Sequence, residues 1–134
     1  MVRPLAVLLL TAALAVFGIG CGNSPSTHAT IAIRYSQFVT EAITVPVGVP
    51  VTITLRNDDP IDHEWIVGPP EVHERHRTGT EAVHDEVPTE VTIPALSARE
   101  TTLTFERAGE YAFICHLPGH EAYGMVGHLR VLEP

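Results

Sequence analysis

The chain has 134 residues, with 16 Asp and Glu against 8 basic residues, all of them arginine, and a formal net charge of −8. Nucleic acid and anionic lipid headgroups would repel a surface of that sign, which instead suits a basic docking patch on a partner protein. No internal repeat or long low-complexity tract is present, so the chain reads as one folded unit behind a leader.

The leader is residues 1–20. Arg3 supplies a positive start, and Leu5 to Ile19 is an almost unbroken apolar run of about fifteen residues. A membrane span needs roughly 20, so a secretory signal peptide is expected, with export beyond the cytoplasm. The run Gly18-Ile-Gly-Cys21 resembles the lipobox of bacterial lipoproteins, with Gly18 where Leu is usual. The resemblance implies lipidation of Cys21 and anchoring at the outer face of the cytoplasmic membrane or in the periplasm. Ordinary cleavage nearby is the alternative, but it leaves an exposed thiol in an oxidising compartment. Residues 21–28 then form the lipidated cysteine and a polar tether. Six residues of it, Gly22 to Thr27, reach about 20 Å at ~3.3 Å per residue.

Residues 29–134 are enough for a two-layer core. Apolar residues alternate with polar ones at Ile31/Ile33, Ile43/Val45, Val51/Ile53/Leu55, His63 to Val67, Val91/Ile93, Leu103/Phe105, Tyr111/Phe113/Cys115 and Leu129/Val131. Turn residues such as Asn57-Asp-Asp-Pro60 and Gly68-Pro-Pro70 separate them. Period-2 patterning rich in Val, Ile and Thr predicts an all-β antiparallel sandwich or barrel of about eight strands. Residues 71–86 are too polar for a core strand and predict a short surface helix broken at Gly79, or an irregular excursion.

The chemistry concentrates at the end of the penultimate strand: Cys115, four residues, His120, four residues, Met125, with Pro118-Gly119 turning the chain between them. A thiolate, an imidazole and a thioether on one short loop are three of the four ligands of a blue-copper centre, whose set is two His and one Cys with a weak, long axial Met. His63 is the candidate fourth. Alternation puts His63 with Trp65, and Cys115 with Tyr111 and Phe113, on inward faces. In these residues the chain resembles the cupredoxins, which include the plastocyanins, azurins and rusticyanins. The resemblance implies a Greek-key β-sandwich holding one type 1 copper, with His63, Cys115 and His120 as strong ligands and Met125 axial. It also implies an electron carrier rather than an enzyme, serving a redox-protein donor and acceptor such as a cytochrome or a membrane oxidase complex. Nothing in the sequence demands more than a monomer. Many family members follow the first His with Asn or a small polar residue; here Glu64 stands there, its backbone N–H still within reach of the cysteine sulfur.

Two other readings come from the surplus histidines. His73 and His76 share a face if their segment is helical, with His84 nearby, which suits copper buffering; a solvated face mixed with Glu71, Glu74 and Arg75 is the plainer expectation. His116 points away from Cys115 on the strand's other face. In copper oxidases and nitrite reductases such a histidine binds a catalytic copper between subunits; the plainer expectation is an exposed strand residue. His28, in the tether, and His128 carry no assigned role.

Overall fold

The computed structural model describes residues 25–80 and 87–133. The leader, Cys21 and His84 lie outside the described residues. Among the described residues, nine strands and one helix follow in chain order: β1 (His28–Arg34), β2 (Gln37–Phe38), β3 (Ala42–Pro46), β4 (Pro50–Asn57), β5 (His63–Gly68), α1 (Pro70–Thr78), β6 (Glu90–Ile93), β7 (Ala98–Thr104), β8 (Gly109–Ile114) and β9 (Val126–Leu132). They make two sheets, in the orders β2-β1-β4-β7 and β3-β9-β8-β5-β6.

The eight expected strands are present, and β2 is an addition too short for any alternation to show. His28 belongs to β1, paired with Thr52, rather than to the tether. Two pairings, β1 with β4 and β3 with β9, are parallel, whereas the pattern had suggested an antiparallel structure. Alternation reports which face a residue takes and is silent about the direction of the neighbouring strand.

The inward faces meet in one core. Ile31 and Ile33 of β1, Val51, Ile53 and Leu55 of β4, Trp65 and Val67 of β5, Phe113 of β8 and Leu129 and Val131 of β9 are all buried. The ring of Phe38 meets Phe113 edge-on with centroids 5.0 Å apart, which is how β2, though two residues long, ties its sheet to the other. Opposite Phe113 in register is Gly127, where a Cβ would overlap the ring.

Helix α1 starts on Pro70, whose missing N–H costs nothing at a first turn. It ends at Gly79, whose φ of 65° is left-handed and whose N–H caps the carbonyls of Arg75 and His76. The helix lies on the outer face of the second sheet. Val72 sits so close to Gly68 that a side chain there would strike it. Where the sequence suggested a solvated face, His73 is only 2% exposed.

Candidate metal centre

His63 opens β5, and its position is prepared by the turn before it. The Asn57 amide donates to the carbonyl oxygens of Ile61, Ile93 and Pro94 (2.8, 3.1 and 3.1 Å), while its side-chain oxygen accepts the Asp59 N–H at 2.9 Å. That fixes Asp59, whose carboxylate also accepts the N–H groups of Tyr35 and Ser36 at 2.7 and 2.8 Å. His63 Nε2 then donates to Asp59 Oδ2 across 3.0 Å. Burial alone would raise the Asp59 pKa; the bonds from Ser36, Tyr35 and His63 outweigh it and hold the carboxyl below its usual value. With its Nε2 proton committed, a neutral His63 presents the Nδ1 lone pair to the interior of the site.

The loop from Cys115 to Met125 closes on itself. Cys115 N–H donates to Met125 O (3.2 Å), Met125 N–H to His120 O (3.0 Å) and His120 N–H to Leu117 O (3.0 Å). Gly119 and Gly124 take φ values of 85° and 89°, which a residue with a Cβ adopts only under strain. Gln37 of β2 donates to Tyr123 O at 2.8 Å and ties the loop to the other sheet.

These two supports bring the donor atoms together. His63 Nδ1 and His120 Nδ1 are 3.2 Å apart, and Cys115 Sγ lies 3.2 Å from His120 Nδ1. All three fall within 4.8 Å of one another. His63, Cys115 and Met125 are fully buried, while His120 is partly exposed, so the site lies just beneath the surface. The Glu64 N–H reaches Cys115 Sγ at 3.3 Å, as expected from alternation. Burial pushes the Cys115 thiol up, against backbone N–H bonds from Glu64 and Leu117, and burial beside His63 lowers the pKa of His120. A neutral imidazole is ready to bind a cation, and a buried thiol becomes a ligand once a cation offsets the thiolate's charge. One soft sulfur and two imidazole nitrogens suit copper in either of its common oxidation states.

Asp59 escaped the sequence analysis, where it figured only as part of a strand-breaking turn. The signal available was a carboxylate four residues before the candidate histidine. The surplus histidines also differ from expectation. His116 is 5% exposed at its side chain, not a surface residue, because α1 covers it. His73 and His76 are buried on the underside of that helix, not solvated.

Residues 26–132 match the copper-binding proteins of the plastocyanin/azurin family, and the chain belongs to that family. It is therefore a cupredoxin, and His63, Cys115, His120 and Met125 form a site of the type 1 copper kind. Among its relatives is the copper-resistant cuproprotein CopI of Rubrivivax gelatinosus, 29% identical over 116 residues that cover 82% of this chain and 70% of that protein. Two solved structures share the fold. Reduced auracyanin from Roseiflexus castenholzii has a TM-score of 0.70 at 22% identity, covering 81% of this chain and 99% of that one. Auracyanin A, a "blue" copper protein of Chloroflexus aurantiacus, has a TM-score of 0.62 at 25% identity, covering 81% and 100%.

Proposed function

We propose that this protein carries single electrons between redox proteins outside the cytoplasm, with His63, Cys115 and His120 as strong copper ligands and Met125 as the weak axial one. When bound, copper supplies a one-electron change between Cu(II) and Cu(I). The observation that carries the reading is that three donor atoms already lie within 4.8 Å of one another, with the His63 ring held by Asp59, the Cys115 sulfur by the Glu64 N–H and the His120 backbone by bonds within the loop. A frame that dictates the positions of its ligands keeps rearrangement small when the charge at the site changes. The partly exposed His120 is the natural point for an electron to enter or leave. The apolar leader supports export, and Cys21, outside the described residues, supplies the anchor; Cys21→Ala should release the protein from membranes.

Copper storage or detoxification is a second reading, favoured because the relatives are named copper-resistant cuproproteins. Adding Cu(II) while recording visible and electron paramagnetic resonance spectra, then mixing with a reduced cytochrome, separates the two. An intense blue or green band saturating at one copper, narrow hyperfine splitting and fast reduction support the carrier. A site that takes up copper but exchanges electrons slowly supports storage.

A further inference from the structure

Helix α1 takes hold of two residues, each of which directly follows a ligand of the copper loop. Arg77, in the last turn of the helix, grips the carboxylate of Glu121, the residue after His120. Its Nε donates to Oε1 and Oε2 across 3.0 and 3.1 Å, and its Nη2 donates to Oε1 across 2.6 Å. His73, a turn earlier, holds the residue after Cys115. His73 Nε2 donates to the Ala112 carbonyl at 3.2 Å, so in the neutral ring Nδ1 accepts from His116 Nε2 at 3.0 Å. Glu121 Oε2 also lies 3.5 Å from His116 Nδ1, which brings the two held residues against each other.

The helix can brace the loop because it is itself fixed from the His63 side. Pro69 alone separates α1 from β5, the strand that His63 opens, and Val72 packs tightly on Gly68. Pro69 and Pro70 have φ locked by their rings, so the link hinges little. The path from His63 along β5 and α1 to Arg77, then across to Glu121 and His120, is covalent at every step but one. That step is the Arg77–Glu121 fork. Parallel bonds from a guanidinium to a carboxylate fix direction as well as distance, where a lysine would supply only a point charge. The fork therefore sets the His120 side of the loop relative to His63 before an ion arrives.

We propose that Arg77 is a positioning residue for the copper centre, holding the ligand loop through Glu121 in the geometry that retains the ion, an inference that rests on the copper site and not on electron transfer. Both side chains are partly exposed, so water screens the pair and its effect is modest. Its loss should speed copper release about two- to five-fold. Removing Asp59, which touches a ligand directly, has the larger expected effect of about 10–100-fold on affinity.

The test follows the visible band of the Cu(II) protein while excess chelator strips the ion, at a temperature well below melting. Arg77→Met and Glu121→Ala should each accelerate release, and the double variant should be no faster than either, because the two side chains act as one unit. Arg77→Lys keeps the charge and loses the fork, so it should fall between the parent and Arg77→Met; it also decides should the other variants not fold. A merely structural tie would lower the melting temperature and leave release from the folded protein at the parent's rate. That result, or accelerations that add in the double variant, would overturn the positioning role while the copper site stands. A parent protein that shows no visible band with copper would overturn both.

Discussion

The carboxylate of Asp59 and the imidazole of His63 form a relay, with Asp59 Oδ2 3.0 Å from Nε2 while Nδ1 of the same ring lies 3.2 Å from His120 Nδ1. The ring is thereby oriented from behind by a group that is itself fixed by two backbone N–H groups. Asp59→Asn replaces one of the two accepting oxygens with a donor. Either His63 and Ser36 or Tyr35 then faces an NH₂ group. Copper affinity should fall about 10–100-fold and stability by about 1–3 kcal/mol. Competition with a copper chelator and urea denaturation measure the two effects; unchanged affinity would deny Asp59 a role in holding the ring.

Cys115→Ser removes the only thiolate in the cluster and leaves both histidines in place. The intense visible band, which comes from thiolate-to-copper charge transfer, should vanish from the copper-titrated protein. A variant that stays blue would end the ligand assignment.

Met125 is fully buried, and its backbone bonds both to Cys115 and to His120. Leu is close to it in volume, so Met125→Leu should cost less than about 1.5 kcal/mol. Loss of the weak axial thioether should leave the colour and raise the reduction potential, read by voltammetry. Complete loss of copper would contradict an axial role.

Gly127 faces Phe113 across β9 and β8. In Gly127→Ala the new methyl must displace a ring wedged between Phe38 and Trp65. The cost should be about 1–3 kcal/mol, as for other overpacked cores. A melting temperature equal to the parent's would mean that the ring has room to move.

The copper loop was legible because its chemistry is contiguous. Cys115, His120 and Met125 carry donor atoms that seldom recur at such spacing by accident, and alternation fixed the inward faces of Cys115 and His63. The strands were legible for the same reason, each alternation needing only its own residues. What depends on a partner was not. Asp59 looks like any turn aspartate until Tyr35, Ser36 and His63 surround it. Helix α1 is polar in composition, and its histidines pass for solvated ones because hydrogen bonds to Ala112 and Val72, rather than apolar atoms, accompany their burial. The parallel partnership of β3 and β9 joins segments some eighty residues apart, beyond the range of any local pattern.

The strand β9 lies inside its sheet, between β3 and β8. A chain made or threaded N-terminus first therefore has a gap in its second sheet until Val126–Leu132 arrives. Before that moment β3 has no neighbour in the sheet and the far end of the ligand loop is untethered. Synthesis order thus completes the metal centre after the other described strands have been made. Capture of the ion should therefore mark a chain in which β9 has taken its place between β3 and β8.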